Sequence, residues 1–323
     1  MIKKAKRKLL SAPTAMAGLA LAIASLGWSW ESFIDLDGYG QWISAGIASV
    51  LLLILTTRFI AHPRSLLDDL AHPVVGSVVP TFAMATMVVS NSLGHVNPLA
   101  GDALWLVGLT MHIIFLASFL FHRASEFELH HMVPSWFVPP VGIIVADVSF
   151  SGNPNLYLLA MAALIFGMGT YAILLPIMIY RLMFTHQIPD AAKPTVAIMA
   201  APASLSLAGY LTVSANPSPL IITLLFGIAI LMTLIIYFAF FKLLQLPFSP
   251  GYAAFTFPMV IGATALFKTA QWLEGVGVAS QYVQQVNLLA VIELTIATLV
   301  VCYVAMRYCQ FYILGMNQPQ LPN

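Results

Sequence analysis

The chain has 323 residues; 60% are hydrophobic and 8% charged, and 13 basic against 12 acidic residues leave a formal net charge of +1. So few charges cannot clothe a soluble globule of this size, and disorder needs the opposite composition. No basic patch exists beyond the first eight residues, which excludes nucleic-acid binding and leaves a polytopic membrane protein.

A spanning helix needs about 20 mostly apolar residues. In chain order, ten such stretches are expected: 13–30, 41–60, 74–93, 103–121, 136–150, 156–180, 195–214, 219–241, 252–272 and 287–307. The fifth is the weakest, being short and carrying Asp147. Lys and Arg set the orientation. Lys3, Lys4, Lys6, Arg7 and Lys8 lie at the N-terminus, Arg58, Arg64, Arg123, Arg181, Lys193 and Lys242 in even-numbered connections, and Arg307 at the end of the last span. Twelve of the thirteen basic residues thus share one side, and Lys268 alone falls on the other. The expectation is one transmembrane domain over 1–323, with a basic N-terminus (1–11), a short tail (308–323) and both termini cytoplasmic in a bacterial inner membrane. The N-terminus also resembles a secretory signal. Cleavage after Ala20-Leu21-Ala22 would leave an odd number of helices, so the first span is read as retained. Cys302 and Cys309, seven apart on one expected helix, stand about 10 Å apart and cannot bridge.

Pro13, Pro80, Pro140, Pro202 and Pro258 all fall in odd spans, with separations of 67, 60, 62 and 56 residues. Pro73, Pro194 and Pro250 open three of these spans. A proline one or two turns inside a helix frees a carbonyl and kinks the chain, and in lipid that carbonyl must find a partner. The odd helices therefore belong inside, and the even ones outside. Composition agrees: the seventh span is rich in Ala, Ser and Gly, as close packing needs, whereas the eighth is mostly Leu, Ile and Phe. Two helices return the chain to the same side, so the copies are parallel repeats about the membrane normal. The expected fold is all-α: ten helices as five hairpins in a quasi-fivefold ring around a central pore.

The segment Ala254-Phe255-Thr256-Phe257-Pro258-Met259 resembles the signature of the tellurite-resistance/dicarboxylate transporter family. That family includes TehA-like tellurite-resistance proteins, fungal malate permeases and the slow anion channels of plant guard cells. Pro13-Thr14 with Gly18, His72-Pro73-Val74, Phe137-Val138-Pro139 and Ala201-Pro202-Ala203 match in order on the odd spans. The resemblance implies ten helices around a quasi-fivefold pore, homotrimers with one pore per subunit, and a phenylalanine plug, which by position is Phe257. TehA-like members have glycine where this chain has Pro258, which bears on the substrate more than on the fold.

By position along the helix, Phe257 lies about 10 Å inside its helix start, where a ring occludes a narrow conduit and an apolar constriction gates by dewetting. Phe255 lies on nearly the opposite face and is read as packing. Candidate pore-lining residues are Thr256, Pro258, Thr264, Pro13, Pro80, Thr81, Pro140, Pro202 and Ser204, with Thr86 and Ser206 as further hydroxyls. Small polar residues serve equally as helix–helix glue. Lys268, about 16 Å beyond Phe257, is a candidate for attracting anions or a lysine reaching for the interface. Asp147 and Glu293 are intramembrane acids, candidates for proton coupling; Asp147 also fits a place near the outer surface, and Glu293 a subunit interface.

Six of the eight histidines (His62, His72, His122, His130, His131 and His186) lie in connections. Membrane di-iron enzymes need repeated histidine boxes with helical spacing. One His-His pair does not supply them, so neither metal nor cofactor is expected, and the chain is not read as an enzyme. No phosphate-binding loop or nucleophile elbow appears. The functional expectation is a channel for small anions. The alternative is a proton-coupled transporter or exporter of C4-dicarboxylates such as malate, or of tellurite or sulfite.

Overall fold

A computed structural model of the chain describes residues 11–185 and 187–313, and all regular structure there is helical. The basic cluster at Lys3, Lys4, Lys6, Arg7 and Lys8, His186 and the end of the tail lie outside the described residues. The α-helices are α1 (Met16–Glu31), α2 (Tyr39–Ala61), α3 (Pro63–Ala71), α4 (Val75–Val78), α5 (Thr81–Gly94), α6 (Pro98–Ser125), α7 (Val138–Val141), α8 (Val145–Val148), α9 (Tyr157–Phe184), α10 (Ala201–Val213), α11 (Pro219–Leu243), α12 (Phe257–Gly275) and α13 (Ser280–Tyr308).

Among the described residues, eight helical stretches are long and apolar enough to cross a membrane. They fall where the sequence places every span but the first and fifth. At the first position α1 has 16 residues, about 24 Å of helix against a hydrocarbon core of about 30 Å. At the fifth, Pro134–Val148 is a shorter apolar segment, broken at Gly142–Ile144 between α7 and α8.

Burial separates the stretches into two classes. Val75–Gly94, Asp190–Val213 and Pro250–Gly275 have 78%, 78% and 83% of their apolar windows buried, whereas the even-numbered stretches have 28–39%. The inner elements touch in a closed cycle: α1 packs on α5, α5 on α8, α8 on α10, α10 on α12, and α12 on α1. Outer helices pair with their chain neighbours, α2 on α1, α6 on α5, α11 on α10 and α13 on α12. Glycine permits close approach in these pairs. A Cβ on Gly101 of α6 would overlap the backbone of Gly94 in α5.

The prolines act differently from the expectation of kinks within helices. Pro80 caps α5, Pro202 lies in the first turn of α10, and Pro258 in the first turn of α12. Tighter 3-10 turns over Asp190–Ala200 and Pro250–Phe255 lead into the latter two helices. Proline is at home in a first turn, where its missing N–H would have no partner anyway. Pro80, Pro202 and Pro258 therefore mark where regular α-helix begins, whereas Pro140 lies at the end of α7, before the break at Gly142–Ile144.

A second repeat appears at the ends of the outer helices. Arg58, Arg123, Arg181, Lys242 and Arg307 follow one another at 65, 58, 61 and 65 residues. Three of these side chains fold back onto the segment that leads into their own hairpin. Arg58 Nη1 donates to Thr14 Oγ1 at 2.7 Å, Arg123 Nη2 to the Ala71 carbonyl at 2.5 Å, and Arg181 Nη2 to the His130 carbonyl at 2.9 Å. Arg307 lies over the Phe248 ring at 5.3 Å, while Tyr308 donates to the Pro250 carbonyl at 2.6 Å. Arg58 also pairs with Asp69 at 2.9 Å. Lys242 is exposed, and in its unit Lys193 pairs with Asp190 instead.

Candidate functional site

The inner segments enclose a cavity of about 180 Å³ whose walls come from every inner unit and from no outer helix. Ala15, Gly18 and Leu21 contribute from α1 and its lead-in, and Val75, Val78, Thr81 and Met84 from α4 and α5. Phe137, Val138 and Val141 belong to the broken fifth segment, Thr195, Pro202 and Leu205 to α10 and its lead-in, and Ala253, Ala254, Phe257 and Pro258 to α12 and its lead-in. No charged side chain is in this wall. A second cavity, of about 10 Å³, lies among Ser25, Trp28, Val88, Val145, Val148, Phe257, Ile261 and Thr264. Phe257 is the one residue common to both walls.

Phe257 begins α12 and is 8% exposed. Its neighbours fix its place. Thr256 is fully buried and donates to the Ala253 carbonyl at 2.7 Å. Phe255 is fully buried on the other side, against Tyr252 at 4.8 Å and Phe240 at 5.5 Å between ring centroids. Edge and tilted ring contacts of this kind add to simple area burial. They anchor the segment from behind and leave the Phe257 ring between the two cavities.

Of the other sequence candidates, Thr81, Pro202 and Pro258 line the larger cavity and Thr264 the smaller. Pro13, Pro80, Pro140, Thr256 and Ser204 lie outside both walls. The hydroxyl protons are committed to the chain's own carbonyls: Thr81 to Val78 at 2.7 Å, Thr86 to Phe82 at 2.9 Å, Ser204 to Ala200 at 3.2 Å. Thr264 Oγ1 and Ser29 Oγ lie 2.6 Å apart, joining α12 to α1. Ser206 is buried, and its hydroxyl has no partner among the described residues.

The acids lie deeper than surface positions. Asp147 is fully buried on α8, close to Gly209 of α10, and neither carboxylate oxygen has a hydrogen-bond partner among the described residues. Glu293 on α13 turns inward, away from the exposed face of its helix. Its Oε1 accepts from Thr233 of α11 at 3.5 Å, and any side chain at Gly262 of α12 would overlap its carboxylate. A buried carboxylate needs a polar neighbour, which explains why it faces this notch. Lys268 is half-buried on α12 and has no hydrogen bond or ion pair among the described residues.

Sequence reading did not single out Thr195 or His112, and took Gly18 only as part of a motif. Thr195 and Gly18 line the larger cavity; Thr195 follows Pro194, the one available signal. His112 is fully buried in α6. Its Nε2 lies 2.8 Å from the Pro139 carbonyl oxygen, which only accepts, so that nitrogen is the donor. Trp105 Nε1 of the same helix donates to the Ala146 carbonyl at 3.0 Å. Backbone breaks at membrane depth persist where protein groups take up the freed polar atoms, and α6 does this for the broken fifth segment.

Comparison with known proteins agrees with this architecture. A family model described as voltage-dependent anion channel matches residues 9–309. Two uncharacterized transporters of Methanocaldococcus jannaschii are 28% and 29% identical, each over 65% of this chain and over 68% and 67% of their own lengths. A TehA homolog, a tellurite resistance protein of Haemophilus influenzae, is 24% identical over 82% of this chain and 84% of its own. This multi-pass helical membrane protein belongs to the family of that model, SLAC1, a family of transporters and channels and the tellurite-resistance/dicarboxylate transporter family that its odd-span motifs resemble.

Proposed function

We propose that the protein is an anion channel gated by Phe257, built from ten spans in five hairpins around a pore. The observation that carries this reading is the position of Phe257 as the shared wall of the two inner cavities. Removing the ring would join them. The closed cycle of inner contacts supports the ring, with α1 and Pro134–Val148 as the first and fifth spans. The cavity wall holds no cation to trap an anion, as conduction requires. The helix starts at Pro202 and Pro258 contribute partial positive charge instead. The hydroxyls at Thr81 and Thr195 reach a passing anion only by exchanging their backbone bonds. The proposal includes one domain, cytoplasmic termini, an inner-membrane location, a homotrimer and no catalytic chemistry.

The test is current through planar bilayers for the wild type and Phe257→Ala under opposed chloride, nitrate and malate gradients. A near-silent wild type and a large anion-selective current in the variant would support the gate. Equal currents in the two proteins would overturn it. The partnerless burial of Asp147 favours a second reading, a proton-coupled dicarboxylate carrier. There, uptake of labelled malate follows a pH gradient, and Asp147→Asn abolishes that dependence.

A further inference from the structure

The connection that leads into the broken fifth segment carries a side-chain cluster with no part in the channel reading. Glu128, His130 and His131 bring one ligand atom each to within 4.8 Å of one another. The sequence gives this connection no metal role, because it lacks the repeated spacing that places histidines on one helix face. The chain reaches convergence by another route. Glu128 is extended, at φ −131° and ψ 128°, and Leu129–His131 then closes a single 3-10 turn. That turn sets the two imidazoles side by side, with ring centroids 4.3 Å apart.

We propose that Glu128, His130 and His131 form a binding site for a divalent transition-metal ion of the Zn²⁺ class. Both imidazoles present the same nitrogen, Nε2, to the same carboxylate oxygen, Oε2 of Glu128, at 3.1 Å and 3.8 Å. Bonds of about 2.0–2.1 Å in a tetrahedral Zn²⁺ shell set neighbouring ligand atoms about 3.4 Å apart. The two observed separations bracket that value, and all three ligand atoms lie within 4.8 Å of one another. Two imidazoles and one carboxylate select Zn²⁺, Co²⁺ or Ni²⁺ over Mg²⁺ or Ca²⁺, which prefer all-oxygen shells.

The base of the site is held in place. The His130 carbonyl accepts from Arg181 of α9 at 2.9 Å, and Met132 and Val133, which follow, are buried. The ligand side chains themselves are 37–57% exposed. The ion therefore has a route in, and water can fill the remaining coordination position. The segment runs on through Pro134 to Phe137 and Val138 in the wall of the larger cavity. The site thus lies where an ion would brace one lead-in of the inner ring. It stands independently of the channel reading.

The test is calorimetric titration of the purified full chain in detergent, with affinity tags removed and adventitious metal stripped by chelator, using Zn²⁺ alone as the probe. One saturable equivalent per chain is expected. His131→Gln and Glu128→Gln should each weaken binding by at least about tenfold, by analogy with losses around known metal sites. His72→Ala, elsewhere on the surface, should leave it unchanged. Co²⁺ should give the visible absorption of a tetrahedral centre in the wild type and lose it in His130→Asn/His131→Gln. The absence of saturable binding would overturn the proposal. So would wild-type affinity in that double variant, which would assign the ion to other histidines. Glu128 and His130 are exposed and His131 is half-buried, and thermal unfolding of each variant, expected unchanged, separates ligand loss from misfolding.

Discussion

The two cavities that meet at Phe257 differ in kind. The larger, of about 180 Å³, draws its wall from all five inner units. The smaller, of about 10 Å³, scarcely holds one water, and its neighbouring helices are stitched together by the Ser29–Thr264 hydrogen bond. The difference teaches that, in the proposed channel, the barrier at this ring is not symmetric. On one side the ring borders the larger cavity. On the other it borders packed helix, so the proposed gate opens by moving the ring toward the larger cavity.

The largest expected effect comes from Phe257→Ala, which removes the wall between the cavities. Anion current in bilayers should rise by about tenfold or more, corresponding to a barrier lowered by about 1.4 kcal/mol. Next, Gly18→Leu in the Phe257→Ala background should return most of that current to the wild-type level. A Cβ at Gly18 meets Ala253 Cβ at an ordinary 3.6 Å, and the longer side chain then projects among the wall residues. Persistence of the full current would show that conduction bypasses the larger cavity. Third, Arg123→Ala removes the donor to the Ala71 carbonyl and should cost about 1–3 kcal/mol, read as a lower unfolding temperature in detergent. Lys242→Ala, at the exposed equivalent in the fourth unit, should stay within about 0.5 kcal/mol. Fourth, Thr264→Val deletes the hydroxyl that faces Ser29 and should cost about 1 kcal/mol, with little change in current. A large rise in current from that substitution would place the barrier in the smaller cavity instead.

The division into buried and lipid-facing helices was readable in the proline spacing and in the contrast between the seventh and eighth spans, because close packing and lipid contact demand different residues. The role of those prolines was not readable. Proline suits a kink and a helix start equally, and the 3-10 turns before Pro202 and Pro258 differ from α-helix only in which carbonyl each amide chooses. Phe257 stood out from the other phenylalanines only through the resemblance of its surrounding hexapeptide to a known family. Gly18 and Thr195 gave little or no signal of their own, since a cavity wall exists only where several distant segments converge. His112 was likewise hidden, for its meaning lies in the carbonyl of Pro139, 27 residues away.

The basic side chains that end the outer helices have a consequence for biogenesis. Arg58, Arg123 and Arg181 each close on the lead-in of their own hairpin. A hairpin can therefore latch as soon as its second helix leaves the insertion machinery, before the next one is synthesised. Each latch hides a guanidinium that would otherwise attract a wrong neighbour. The fourth pair, with an exposed Lys242 at this position, lacks such a latch, and in the fifth Arg307 lies over the Phe248 ring instead.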